Sequence, residues 1–266
     1  MPAFLALEEE RTWAPISAAP AIFLLLDFDG TITELAPRPD GVYLSSQRRQ
    51  CLKELVALPG VLVAVISGRP VDNVKSLVGL DRVYYVGNHG LEWAAPGRAK
   101  SGCAIDAPVT DALESLREQF RDCRTHVKGV FLEDKGTALA LHYRMASEQT
   151  AAAAKSEFLR AVLHQQQRGI ALEVLAGKEV VEAKPATISK CDAVISLYKR
   201  FGADALPIYC GDDYTDEGAF QRLDKRGITI LVAETPRPTA ASFYLRNPNE
   251  VFEFLHRLAR ARASRH

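Results

Sequence analysis

The sequence predicts an α/β fold, a parallel sheet covered by helices on both faces and interrupted by an inserted α+β unit. Three observations carry that expectation. The apolar runs at 22–26 and 61–66 are continuous instead of alternating, which suits strands buried on both sides. Each run stops abruptly in a glycine-containing polar loop, and helix-like segments separate the runs. After about Gly97 the order becomes helix, hairpin, helix, hairpin, an α+β pattern, before strand and helix alternate again from Ser189. The expected division is a core of residues 1–100 with 186–266 and an insertion of residues 101–185.

Taken in order, the first strand at 22–26 runs into Asp27-Phe28-Asp29-Gly30-Thr31. Asp27 therefore stands at the carboxyl end of a strand, where open α/β sheets hold their ligands. Ser45 or Ser46 caps a helix over 47–58, and Pro59-Gly60 ends it. The strand at 61–66 stops at Ser67-Gly68-Arg69-Pro70, which opens a helix over 71–78. A third strand, 83–86, ends in Gly87-Asn88-His89-Gly90. Three such units imply right-handed crossovers. The insertion reads as a helix at 109–121, strands at 129–134 and 137–144, a helix at 147–167, and strands at 170–175 and 179–183 flanking Ala176-Gly177-Lys178. The sheet resumes with a helix at 191–201, a strand at 207–210 and the acidic loop Gly211-Asp212-Asp213-Tyr214-Thr215-Asp216-Glu217. A helix at 218–226, a strand at 228–232 and an amphipathic helix at 250–262 close the chain.

Composition narrows the class. Thirty-three basic residues balance thirty-three acidic ones over 266 positions. A nucleic-acid or membrane-surface binder normally carries a basic excess, so neither partner is expected. No apolar stretch approaches the ~18 residues that span a bilayer. The five cysteines are scattered without a CxxC pair, which points to reduced thiols and a cytoplasmic location, and a monomer is expected.

The chemistry gathers at strand ends. Asp27 and Asp29 share a face of an extended segment, so both carboxylates can aim at one substrate. One can attack phosphorus as a nucleophile, while the other protonates the leaving oxygen and later takes the proton of water. Two anions facing a phosphate dianion require positive charge, and magnesium, an oxygen-seeking ion that bridges carboxylates to phosphate, fits the need. Asp212 and Asp213 supply carboxylates at another strand end, with Asp216 as support behind them. Ser67, the amides of Gly68 and Arg69, Thr31 and Lys190 offer donors to a phosphate. Each signal alone has a plainer account. The first aspartates can be a capped turn, and Gly211-Asp212-Asp213-x-x-Asp216 can be a helix start whose acids satisfy the dipole. Their joint, ordered occurrence favours phosphoryl transfer.

At these residues the chain resembles a known group. Asp27-Phe28-Asp29-Gly30-Thr31, Ser67-Gly68-Arg69, Lys190 and Gly211-Asp212-Asp213-x-x-Asp216 look like the four ordered motifs of the haloacid dehalogenase (HAD) superfamily of phosphatases. More narrowly, Gly87-Asn88-His89-Gly90-Leu91-Glu92, Glu133-Asp134-Lys135-Gly136 with Leu141-His142-Tyr143-Arg144, and Gly177-Lys178 with Val181-Glu182 resemble the trehalose-6-phosphate phosphatases. The resemblance implies a Rossmann-like core with an α+β cap that closes over a phosphorylated disaccharide. It implies Asp27 as nucleophile, Asp29 as acid/base, phosphate contacts from Ser67 and Lys190, and Mg2+ held by Asp27, the backbone carbonyl of Asp29 and Asp212. It further implies sugar contacts from Glu133, Lys135, Lys178 and Glu182, with Arg144 on the same polar face and His89 as either a substrate contact or a loop residue. The chain departs from the family pattern at Cys191, where glycine is usual, and at Lys184-Pro185. Lys184 is thus an alternative to Lys190, which its place at a helix start favours. Other sugar phosphatases of the same architecture, a phosphomutase, and a sugar-phosphate sensor without activity are the rival readings.

Overall fold

The structure, a computed structural model, describes residues 2–5, 10–36, 39–121, 127–177, 179–187, 189–201 and 204–264. Contacts divide the chain into two compact units, Met1–Ser101 with Ser189–His266, and Gly102–Ile188. In chain order the elements are β1 (Ala3–Phe4), α1 (Glu10–Ala18), β2 (Ala21–Asp27), α2 (Ser46–Ala57), β3 (Val61–Ile66), α3 (Val71–Val78), β4 (Tyr84–Gly87), β5 (Glu92–Ala94) and β6 (Ser101–Gly102). There follow α4 (Ala107–Phe120), β7 (Phe131–Asp134), β8 (Leu139–His142), α5 (Glu148–Gln167), β9 (Leu172–Gly177) and β10 (Val180–Pro185). The chain ends with α6 (Lys190–Phe201), β11 (Ala205–Gly211), α7 (Glu217–Leu223), β12 (Ile228–Val232), β13 (Phe243–Leu245) and α8 (Pro248–Ala263).

The large sheet has the order β1-β13-β12-β11-β2-β3-β4-β5-β6. From β1 to β4 every pairing is parallel, and the turn back to β5 is antiparallel. β2 lies between β11 and β3, so later strands build outward from it on both sides and its tip is a topological switch point. Its residues alternate between two cores. Ile22, Leu24 and Leu26 pack with Leu52 and Leu55 of α2, Val74 of α3 and Phe254 and Leu258 of α8. Phe23 and Leu25 pack with Val194 and Leu197 of α6 and Phe220 of α7. That double burial is why the run is apolar throughout. It also gives Asp27 the parity of Phe23 and Leu25, which directs it to the side where α6 begins.

Local signals fix the helices. Ser45 caps α2 by accepting from the Arg48 amide at 3.3 Å, which settles the choice between the two serines. Gly79 ends α3 in the left-handed conformation, and Asn247 with Pro248 opens α8. Several boundaries move by one to three residues. The strand expected at 137–144 covers only Leu139–His142, although the Tyr143 amide still donates to Glu179 O at 3.1 Å in the same register. The strands at and next to the two edges of the large sheet, β1, β13, β5 and β6, are two or three residues long, too short to show a period in the sequence.

In the second unit the sheet order is β7-β8-β10-β9, all antiparallel. Leu139, Leu141, Val181 and Ala183 face a core closed by Val109, Leu113 and Leu116 of α4 and Phe158 and Val162 of α5. Glu133, Ala140 and Glu182 are register partners across the opposite face. Among the described residues no helix is long and apolar enough to cross a membrane. Cys51, Cys103, Cys191 and Cys210 carry free thiols.

Candidate active site

The tip of β2 is an acidic cluster around one buried ammonium. Lys190, the first residue of α6, donates its Nζ to Asp27 Oδ1 at 2.6 Å and to Asp216 Oδ1 at 3.1 Å. All three are nearly excluded from solvent. Tyr209 Oη donates to the same Asp216 oxygen at 2.7 Å, and the Asp213 amide donates to Asp216 Oδ2 at 3.1 Å. Asp27, Asp212 and Asp216 each present a carboxylate oxygen within 4.8 Å of the others. Burial pushes the Asp27 carboxyl well above its usual range, with Lys190 opposing and the carboxylates of Asp216 and Asp212 adding to the rise. Burial would depress the Lys190 ammonium, yet Asp216 and Asp27 outweigh it and hold it well above the ordinary lysine range.

The acidic loop has a structural and a chemical use at once. Asp213 and Asp216 form a reciprocal capping box over the short turn at Tyr214–Asp216, with Asp213 Oδ1 accepting from the Tyr214 amide at 2.6 Å. Asp212 is left to lie over Gly30, whose φ of +83° suits glycine and whose missing side chain makes room for that carboxylate. A Cβ at Gly30 would collide with Asp212 Oδ2. Gly30→Ala is therefore expected to displace Asp212 and to lower the melting temperature, read from thermal unfolding.

The second carboxylate has a different partner. Asp29 accepts two parallel hydrogen bonds from Arg69, Nε to Oδ2 at 2.8 Å and Nη2 to Oδ1 at 2.8 Å. The sequence pattern points only to the backbone amide of Arg69. Register could have flagged its guanidinium, since Asp27 pairs with Ile66 across β2 and β3, so Asp29 and Arg69 both lie just past the ends of adjacent strands. Ser67 Oγ accepts from the Arg69 amide at 3.0 Å, and its own hydrogen remains to donate. His89 lies against Gly68, where a Cβ would stand 2.6 Å from His89 Nε2. Asn88 and His89 both have positive φ, +46° and +54°, a strained pair that carries the chain past this turn. Thr31 is fully buried, and its hydroxyl meets no hydrogen-bond partner among the described residues.

In the second unit Lys135 Nζ binds Glu182 Oε2 at 2.5 Å, and His142 Nε2 lies 2.8 Å from Glu133 Oε2. The His142 ring stacks on Phe131 at 4.5 Å. Although burial works to raise it, the His142 hydrogen bond and the Lys135 charge hold Glu133 below its usual value. Arg144 pairs with Glu179 at 3.3 Å. Lys178 lies outside the described residues. Lys184 is in β10 with Glu173 at 2.8 Å and the Pro185 carbonyl at 3.1 Å, so of the two lysines it is Lys190 that meets Asp27.

Comparisons with known proteins identify the family and the fold. The sequence profile of the trehalose-phosphatase family matches residues 25–249. Probable trehalose-phosphate phosphatase 4 of Oryza sativa subsp. japonica is 33% identical over 264 residues, covering 95% of this chain and 70% of the rice protein. A trehalose-phosphate phosphatase of Mycobacterium tuberculosis is 34% identical over 253 residues, covering 92% of this chain and 62% of that protein. In fold, the C-terminal domain of C. albicans trehalose-6-phosphate phosphatase superposes with a TM-score of 0.85 at 22% identity, over 97% of both chains. A haloacid dehalogenase-like hydrolase from Bacteroides thetaiotaomicron superposes at 0.63 and 15% identity, over 90% of this chain and 99% of that one. The fold is that of the HAD phosphatases, and the chain belongs to the trehalose-phosphatase family.

Proposed function

We propose that this chain hydrolyses trehalose 6-phosphate to trehalose and inorganic phosphate through an aspartyl-phosphate on Asp27. The observation that carries the reading is the Asp27–Lys190–Asp216 cluster, with Asp212 beside it, at the switch point of a sheet whose sequence matches the family profile. An Asp27 carboxylate oxygen attacks phosphorus, and the bond from phosphorus to the sugar oxygen breaks. Asp29 gives that oxygen its proton. Asp29 then takes a proton from water, which attacks the phosphoryl group and restores Asp27. Ser67, Thr31, Lys190 and the amide of Gly68 hold the phosphate oxygens.

The donor set suits magnesium. Three carboxylates face one ammonium, an excess of two negative charges that a divalent cation neutralises. Asp27, Asp212 and the backbone carbonyl of Asp29 would hold it, with Asp213 and Asp216 bracing the loop. When bound, the ion supplies charge neutralisation for the phosphoryl oxygens. Burial with two carboxylate neighbours works against an ionised Asp27, and added positive charge favours the ionised nucleophile.

Glu133, Lys135, Arg144, Lys178 and Glu182 are assigned to the sugar hydroxyls, with His89 beside the phosphate turn. Ala140 lies between Glu133 and Glu182 in the sheet register. Glu182→Ala is expected to lower kcat/KM for trehalose 6-phosphate by about 10²-fold or more while changing p-nitrophenyl phosphate little, because a hydroxyl-matching group is worth several kcal/mol only to the substrate that carries the hydroxyl. Equal losses on both substrates would count against a sugar-binding role. A cytoplasmic location is part of the proposal, supported by the free thiols among the described residues, and a monomer is proposed with it. The function itself is tested by phosphate release from a panel of sugar phosphates, with magnesium and with chelator. Trehalose 6-phosphate should exceed sucrose phosphate and the hexose phosphates, and chelation should stop release. Preference for another sugar phosphate would overturn the substrate assignment.

A further inference from the structure

The fork that Arg69 makes on Asp29 assigns a role to a residue outside the catalytic set. We infer that Arg69 is the positioning residue for the acid/base, acting on the reaction through Asp29. The inference rests on the proposed acid/base role of Asp29.

Both Asp29 oxygens accept from one guanidinium at 2.8 Å, which fixes the plane of the carboxyl as well as its position. Arg69 is itself held at several points. Its amide donates to Ser67 Oγ at 3.0 Å, its carbonyl accepts from the Asn88 amide at 2.8 Å, and its Nη1 donates to Asn73 Oδ1 at 3.2 Å on the first turn of α3. The guanidinium carbon lies 5.8 Å from the centre of the Phe28 ring, between the two aspartates in sequence. The support for Asp29 thus comes from the connection between β3 and α3, tied to Asn73 in α3, and not from the loop that carries Asp29.

The geometry is compatible with both halves of the reaction. A carboxylate offers about four lone-pair sites, and the fork uses one on each oxygen. The outer sites remain to carry the proton that goes to the sugar oxygen and to accept the one that comes from water. Without the fork Asp29 loses its aim, and a misplacement of about 1 Å is enough to cost roughly 10²-fold.

Leaving groups distinguish this role from a grip on the phosphate. A sugar alkoxide must be protonated as it departs, whereas p-nitrophenolate departs without a proton. Arg69→Ala should lower kcat for trehalose 6-phosphate by about 10²-fold with KM changed less than about threefold. The single-turnover rate of nitrophenolate release, measured with enzyme in excess, should stay within about threefold of the unaltered protein. Arg69→Lys should restore little of the loss, because an ammonium has no paired donors to present. In the pair of substitutions, Asp29→Ala with Arg69→Ala should be no slower than Asp29→Ala alone, since two groups that act as one unit are not additive. Equal losses on both leaving groups, additive losses in the double variant, or full rescue by lysine would overturn the inference. Should Asp29→Ala itself retain sugar-phosphate turnover, it is the acid/base reading that fails, and the Arg69 results are not needed to see it.

Discussion

Asp27→Asn is expected to lower turnover of trehalose 6-phosphate by about 10⁴-fold or more, the scale on which enzymes lose rate when a nucleophile is removed, while the protein stays folded. The side chain keeps its shape and loses the anionic oxygen that attacks phosphorus. Structure should survive because Lys190 retains Asp216 at 3.1 Å, and a neutral amide is less costly to bury than a carboxylate whose burial already pushes it toward the protonated form. Phosphate release and thermal unfolding, measured side by side, check both halves. Near-normal turnover in a folded Asp27→Asn protein would remove Asp27 from the nucleophile role.

Lys190→Met is expected to give the largest stability loss, about 3–5 kcal/mol at neutral pH, the usual cost of stripping one partner from a buried ionic cluster. The loss arises because Asp27 and Asp216 are left facing each other with Asp212 close by. The pH dependence follows from signs. The folded protein holds the Lys190 proton more tightly than the unfolded chain, so the wild-type benefit is full at neutral pH and is lost only as pH climbs through the raised folded-state value. In the variant the penalty belongs to the carboxylates. It shrinks as pH falls and the cluster takes up protons, which is the direction in which Asp27 is already pushed. Magnesium should return part of the lost melting temperature by supplying the missing charge. Melting curves at several pH values, with and without magnesium, read all of this, and a penalty independent of both pH and metal would contradict the charge account.

How much of this was legible beforehand can be seen residue by residue. The strand that carries Asp27 announces itself, because a run of five apolar side chains without alternation has few uses other than a doubly covered strand. Lys190 is harder. Nothing local distinguishes it from a surface lysine, and only its order relative to Asp27, Ser67 and Asp212 brings it into the site, across 163 residues from the carboxylate it meets. The Arg69 fork escaped because pairings between strand tips depend on register, which single-strand patterns do not reveal. In the second unit the alternation of Leu139, Leu141, Val181 and Ala183 was readable as a core face. The depth at which Glu182 sits with Lys135 was not, since turn-flanking charges ordinarily stay in water.

The central claim is a covalent phosphoryl group on Asp27, and trapping it is the most direct measurement. Mixed with trehalose 6-phosphate and magnesium and quenched in acid within the first turnover, the protein should carry a hydroxylamine-sensitive phosphoryl group on the peptide that contains Asp27. That group should form and decay no more slowly than the enzyme turns over. Phosphate appearing in solution with no phosphorylated protein before it, or with the phosphoryl group on a different residue, would contradict the account.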